Sequence, residues 1–441
     1  MTSMSTTPEN VPQQDGSLTS KNMRRVLGSS FAGSAIEFYD FLLYATTAAV
    51  VFPVVFFPNV PPAVAAFASF TTLAAGYVAR PLGGIIFGHF GDRLGRKGVL
   101  VTSMLMMGTA TAAIGLLPPS SQIGAAAPIL LVCLRVIQGL AVGGEWGGAM
   151  LIALEHAPGG KRGFAASFAN LGAPAGSALA SGSVALVSLL PDDQFFSWGW
   201  RIPFVFSIVL VTLGMFVRLK VAESPVFEKL ENEAKKRRLP LVEVLTRSPK
   251  NLVLGILAAL SQLTISGVVT VWAVNYAVEA GAGRTGVLNA KTMSAFILFL
   301  TTMISARASD RFGRKPVLMA GIILAIIWAY PVLLLIQAGT VTTFAIGVGV
   351  SQAIQGIILG PLAGFLAELF STATRFTGAS ICFQTASAIG AGFTPVVASA
   401  VIAATGSITA LGVAWIVVLA ACLVGVLLAP EGRRRDLATI A

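Results

Sequence analysis

Twelve times between Leu27 and Ala429 the chain runs through a predominantly apolar stretch long enough to be a membrane-crossing helix, at roughly 27–54, 63–88, 98–118, 128–153, 163–190, 201–219, 251–279, 288–308, 317–337, 342–367, 377–405 and 407–429. About 18 to 20 apolar residues suffice to cross ~30 Å of hydrocarbon as a helix. Lipid offers the backbone no hydrogen bonds, so a chain of this kind folds as a bundle of helices that satisfy themselves. A hydrophobic fraction of 55% with only 11% charged residues agrees with that reading.

Charge supplies the topology. The formal net charge of +11 would suggest nucleic acid in a soluble chain, but the positions of the basic residues point elsewhere. With the N-terminus inside, 25 of the 30 Lys and Arg fall on the cytoplasmic side, and only Arg284 and Lys291 lie near the outer side. This is the positive-inside pattern, and it predicts cytoplasmic termini and no nucleic-acid partner. The three cysteines, Cys133, Cys382 and Cys422, fall within apolar spans and read as small buried hydrophobes.

The apolar pattern stops between Leu219 and Asn251, which divides the chain into a tail at 1–26, a six-helix half at 27–219, a charged cytoplasmic loop at 220–250, a second half at 251–429 and a tail at 430–441. An internal repeat matches that division. GDRLGRK (Gly91 to Lys97) returns as SDRFGRK (Ser309 to Lys315), and RVIQGLAVGG (Arg135 to Gly144) has a fainter copy in QAIQGIILGP (Gln352 to Pro361). Glu155, Arg162 and Ser167 recur with the same spacing as Glu368, Arg375 and Ser380. Two such halves place a binding site at their interface near the midplane.

GHFGDRLGRK (Gly88 to Lys97), between the second and third spans, resembles the loop motif of the major facilitator superfamily. ARPLGG from Ala79, RVIQGLAVGGEWGG from Arg135, GWRIPF from Gly199 and ESPVFEKL from Glu223 are similar to the metabolite:proton symporter branch of that superfamily. IEFYDFLLYA from Ile36 resembles that branch's first-helix signature, with Phe38 where Trp is more usual. The resemblance implies an all-α membrane protein of twelve helices in two pseudo-symmetric halves, alternating access, and proton-driven uptake of an osmolyte or organic acid. In the loop motif and its copy, the gating candidates are Gly88, Asp92, Arg93, Gly95 and Arg96, then Asp310, Arg311, Gly313 and Arg314.

Ionisable groups at mid-membrane cost at least a few kcal/mol each, so each asks for a partner or a purpose. Glu37 and Asp40 sit three apart on the first helix, roughly 15 to 20 Å from its cytoplasmic end at 1.5 Å per residue. Arg80 on the second helix and Arg135 on the fourth lie within plausible reach. A carboxylate that an arginine can approach and leave is a protonation switch, and one held by it permanently is a static ion pair. Glu37, Asp40, Arg135 and Glu145 are therefore the proton-coupling candidates.

Arg80 suits either a substrate carboxylate or an internal one. Tyr44, Gln138, Trp272, Asn275 and Tyr276 supply aromatic and amide groups for substrate contact, the last three on one face of the seventh helix, and Arg201 at the outer edge reads as structural or gating. No nucleophile with a base, no metal cluster and no phosphate loop stands out, so the chain reads as a transporter that is not an enzyme and needs no metal or cofactor. Its expected partners are a small polar substrate, protons and the lipid bilayer of the cell membrane, with a monomer as the unit. An organic acid is the first substrate class, and a zwitterionic osmolyte such as a betaine or proline the alternative. A membrane sensor or enzyme on a transporter fold is the distant one.

Overall fold

The structure, a computed structural model, describes residues 20–94, 96–142, 162–220, 240–371 and 374–431. Every regular element among them is helical. The first half contains α1 (Ser20–Val50), α2 (Pro62–Leu94), α3 (Arg96–Leu116), α4 (Ala126–Val142), α5 (Arg162–Val187) and α6 (Ile202–Lys220). In the second half α7 runs from Pro249–Ile265 through a π-helical stretch, Ser266–Trp272, into Ala273–Glu279. It is followed by α8 (Arg284–Phe312), α9 (Arg314–Gln337) and α10 (Val341–Glu368). α11 runs from Arg375–Ser387 through a second π stretch, Ala388–Phe393, into Thr394–Thr405, and α12 is Ile408–Leu428.

Eight of these helices are long and apolar enough by composition alone to span a membrane. The other four predicted spans fall on α1, α3, α4 and α5. α1 is diluted by charge, α5 by Ser, Gly and Asn, and α4 is described only to Val142. The two sets of six run from Ser20 to Lys220 and from Pro249 to Leu428, overrunning the predicted 27–219 and 251–429 by seven residues at α1, one at α6 and two at α7. Most of the predicted middle loop, with residues 1–19 and 432–441 of the tails, lies outside the described residues.

Successive helices alternate in direction, so one end of the bundle, the tail end, carries the start of α1 and the finish of α12. The opposite, far end carries the finish of α1 and the start of α8. Apolar patterning decides which helices lie outside: Phe206, Val209 and Leu213 on α6 and Val413, Val417 and Val424 on α12 are exposed. α10, by contrast, is buried along most of its length. Contact between the halves runs through α5 against α8, α2 against α11 and α1 against α7.

Close approach requires small residues at a few crossings. A Cβ on Gly139 of α4 would collide with the Gly76 carbonyl of α2, and one on Gly83 with the Leu140 backbone. Gly313 joins α8 to α9 at φ +109°, a conformation open to glycine and costly for other residues. Thr340 and Ser407 cap α10 and α12 by accepting from the amides of Thr343 and Ala410.

The far end is tied across the halves by side chains. Asn275 Nδ2 donates to the Ala49 carbonyl at 2.9 Å, Thr285 to the Ser188 carbonyl at 3.1 Å and Thr292 to Ser181 at 3.0 Å. Arg284 pairs with Asp192 at 2.6 Å. Arg201, the predicted structural or gating residue, donates to the Gly115 and Leu117 carbonyls at 2.9 and 2.7 Å, holding the finish of α3.

Candidate functional site

Between the halves lies a cavity of about 70 Å³. That is well below the several hundred Å³ usual for a small-molecule site, so the space between the halves is narrow in this conformation. The first half contributes Phe38, Phe41, Tyr77, Arg80 and Asn170 to its wall, and the second contributes Gln262, Gln352, Gln355 and the π-helical Ser266 and Thr270.

Phe41 organises the first-half wall. The Arg80 guanidinium carbon lies 3.6 Å from its ring centroid and that of Arg135 lies 3.7 Å away. Two guanidiniums over one ring at that distance require opposite faces, so the ring is sandwiched, a favourable arrangement once the cations are desolvated. Arg135 also lies over Tyr44 at 4.1 Å and Arg80 over Tyr77 at 4.7 Å. Gly76 leaves the space in which the Arg135 side chain crosses α2. Glu37 is the carboxylate whose charge acts on Arg80.

Asp40 differs from the expected arrangement. It is fully buried, and neither of its carboxylate oxygens has a hydrogen-bond partner. It pairs with neither Arg80 nor Arg135, so its predicted reach to an arginine is corrected here. The Thr111 hydroxyl faces it, but that hydroxyl gives its single proton to the Met107 carbonyl at 2.8 Å and accepts from Gln138 Nε2 at 2.7 Å. The reason for the miss is geometric: spacing along α1 fixes the angle between Glu37 and Asp40, and it says nothing about which neighbouring helix each one meets.

Of the residues proposed for substrate contact, Arg80 lines the cavity. Gln138 is buried and committed internally, accepting from Arg135 and donating to Thr111. Tyr44 donates to Thr72 at 2.6 Å, and Asn275 ties α7 to α1 at the far end. Trp272 and Tyr276 stack on each other at 4.9 Å between centroids. These five stand outside the cavity wall.

The second half supplies amides: Gln352, which the repeat sets at the position of Arg135, with Gln262 and Gln355, which the sequence reading did not single out. Gln355 Nε2 donates to Gln262 Oε1 at 2.9 Å, while the side-chain oxygens of Gln352, Gln355 and Gln384 are buried without a hydrogen-bond partner. Asn170 crosses from the first half to the Leu359 carbonyl at 3.2 Å. The signal was available: a glutamine deep in an apolar span carries an amide that must be satisfied or used. Lys291, read as near the outer side, lies two turns inside α8, is 2% exposed, and donates to the Thr46 hydroxyl of α1 at 2.8 Å. Cys133, predicted buried, is exposed on α4.

At the tail end, the second copy of the loop motif is a charge cluster. Arg314 Nη1 lies 2.9 Å from Asp310 and Nε lies 3.3 Å from Glu368, the latter off the N–H axis. Glu431, past the finish of α12, accepts from the backbone amides of Arg314 and Lys315 at 3.3 and 3.0 Å and so caps α9. Arg311 lies over the neighbouring Phe312 ring at 5.4 Å. In the first copy, Gly88, Asp92 and Arg93 fall in the last turns of α2 and Arg96 opens α3. Gly95 and Glu145 lie outside the described residues.

Comparison with known proteins now identifies the class. The family of sugar and other transporters matches residues 26–241. The shikimate transporter of Escherichia coli strain K12 is 42% identical over 393 residues, spanning 88% of this chain and 90% of that protein. The inner membrane metabolite transport protein YhjE of the same strain is 42% identical over 384 residues, 85% and 87% of the two chains. The proline/betaine transporter of that strain is 31% identical over 390 residues, 86% and 77% of the two. The fold matches the crystal structure of a D-xylose–proton symporter with a TM-score of 0.73 at 18% identity, over 94% of this chain and 99% of the other. A multi-pass bundle with its cavity between two pseudo-symmetric halves, matched along nearly its whole length by metabolite carriers, is a membrane transporter and not an enzyme: the chain belongs to the major facilitator superfamily, in its metabolite:proton symporter family.

Proposed function

We propose that this transporter takes up an organic acid together with a proton by alternating access. The observation that carries the reading is the cavity's division of labour: one buried guanidinium, Arg80, faces glutamines whose side-chain oxygens are unpaired. A guanidinium fork suits a carboxylate, and amide oxygens accept from hydroxyls. A carboxylate carrying hydroxyl groups meets both. The similarity to the shikimate transporter supports this class.

Asp40 is the proton carrier in this reading. A carboxyl group buried with no hydrogen-bond partner is costly as an anion and much less so when protonated. Glu37 and Arg80 are electrostatically linked, so a substrate carboxylate arriving at Arg80 competes with Glu37 and reports occupancy to α1, the helix that also carries Asp40. The betaine alternative is less well supported. A quaternary cation is best held in a cage of several aromatic faces; those of Phe41 and Tyr77 carry arginines, Trp272 and Tyr276 stand off the cavity, and Phe38 and Phe383 are the remaining aromatic rings of the wall.

Both termini and the 220–250 loop are cytoplasmic in this proposal, because the basic residues concentrate there. Single cysteines at positions 20, 235 and 435 are then unlabelled by an impermeant reagent outside intact cells. At the tail end, Asp92 and Arg96 repeat the spacing of Asp310 and Arg314, Glu155 stands in the repeat block that matches Glu368, and in this proposal the three form the matching gate. The deciding experiment is uptake into proteoliposomes carrying an inward proton gradient, with labelled shikimate, lactate, proline and glycine betaine. Accumulation of a carboxylate that collapses with a protonophore supports the reading. Accumulation of glycine betaine alone overturns it.

A further inference from the structure

Lys291 is the buried charge that the proposed mechanism does not use. Its ammonium lies between the halves and donates to a single neutral group, the Thr46 hydroxyl, which in turn donates to the Leu42 carbonyl at 2.8 Å. No carboxylate contacts it among the described residues. Arg284, two turns nearer the far surface on the same face of α8, is provided for differently: it pairs with Asp192 and lies over Phe195 at 4.1 Å. An ammonium held by one hydroxyl is a poor seal, since a leucine would close the same gap without desolvating a charge.

Position indicates what the charge is for. Lys291, Ser294 and Leu298 form a buried stripe on α8, and Leu298 lines the cavity. On α1 the facing stripe contains Leu42, also in the cavity wall, with Thr46 one turn beyond it. The Lys291–Thr46 contact is therefore the first closure above the cavity toward the far end. About 10 Å of helix separates Lys291 from the mouth at Arg284 and about as much from Leu298. When the halves part at that end, the contact breaks and Lys291 faces the opened path.

We infer that Lys291 is a specificity-determining residue on the far-side access path: it captures the substrate's carboxylate before Arg80 does, and exchanges that carboxylate for Thr46 as the far end closes. The inference rests on the organic-acid reading above and adds a second, transient anion subsite to it. It also accounts for a cation whose only partner in the closed state is a group that any arriving anion outcompetes.

Initial rates of labelled shikimate and lactate uptake in proteoliposomes test it, with the amount of inserted protein measured for each variant. For the acid that the wild type carries, Lys291→Met raises KM about tenfold or more while Vmax changes much less, the loss expected for one charge-assisted hydrogen bond. Lys291→Arg restores KM to near the wild-type value. Thr46→Val leaves the ammonium in place and lowers Vmax with KM little changed, because it weakens closure only. Should Lys291→Met fail to insert, Lys291→Gln against Lys291→Arg carries the same KM comparison. An unchanged KM in the uncharged variant, or Vmax losses in Lys291→Met and Thr46→Val with KM constant in both, makes Lys291 a simple tie and overturns the subsite. If the wild type carries neither acid, the organic-acid reading falls and this inference with it.

Discussion

The two halves share a fold and a repeat, yet they present opposite chemistry to the space between them. The first half brings Glu37, Asp40, Arg80 and Arg135 into the bundle, whereas the second sets Gln352 at the repeat position of Arg135, adds Gln262, Gln355 and Gln384, and places its buried interface charge, Lys291, beyond the cavity toward the far end. Amides hold their protonation state at every physiological pH and carboxylates do not. In the proposed mechanism a substrate gripped from both sides thus meets a first half whose buried carboxylates, set behind the cavity wall, exchange the proton, and an amide wall in the second half that does not.

The sharpest way to break this comparison is Asp40→Asn. The amide mimics the protonated acid, so accumulation driven by a proton gradient is lost completely, while substrate counterflow at equal pH persists. Full accumulation in that variant would make the two halves equivalent for coupling. Next in size is Arg80→Gln, which turns the first-half wall into a copy of the second. KM for the transported acid rises about 10- to 100-fold, matching roughly 1.5–3 kcal/mol for a hydrogen bond to a charged group. A rise in KM of the same size for a zwitterion would show that Arg80 does not read net charge.

Arg135→Gln makes the repeat positions identical. It removes the cation on the Phe41 and Tyr44 rings, worth about 2 kcal/mol where desolvated. It lowers the thermal midpoint of the purified protein by a few degrees, and an unchanged midpoint would mean that the sandwich does not stabilise the half. The smallest effect belongs to the neutral wall. Gln355→Met breaks the bond to Gln262, costs about 1 kcal/mol and shifts KM several-fold, with the pH dependence of uptake kept as in the wild type. A changed pH dependence there would contradict the assignment of titration to the first half.

Much of this architecture was legible in the residues. Hydrophobic length located the spans, with ends off by as much as seven residues at α1 and six at α2, and the recurrence of GDRLGRK as SDRFGRK pointed to two halves. Arg80 stood out because an arginine beside a proline in an apolar run has no bland explanation. What failed was inference about partners. Gln138, Tyr44 and Asn275 looked available on a helical wheel, but each spends its polar atom on Thr111, Thr72 or Ala49, residues 27 to 226 positions away in the chain. The burial of Lys291 was not read because the apolar span was started at 288, whereas α8 begins one turn earlier at Arg284. Gln262 and Gln355 were not singled out because neither stands at the repeat position of a charged residue.

The π-helical stretches in α7 and α11 have a consequence for how such a carrier changes over generations. They abut at Gly267 and the Gly390 carbonyl, and Ser266 and Thr270 of the first reach the cavity. A π segment stores one surplus residue inside an otherwise regular helix. Removing that residue heals the turn locally, so Asn275 and Thr394 beyond it keep their bearings while the cavity wall is redrawn. Single-residue deletions, ordinarily ruinous in a spanning helix because they rotate everything downstream by about 100°, are tolerable at these two places. The second half can therefore alter what it offers a substrate by changing the length of the chain as well as its letters, a freedom for which the first half, with its charges locked around Phe41, has no counterpart among the described residues.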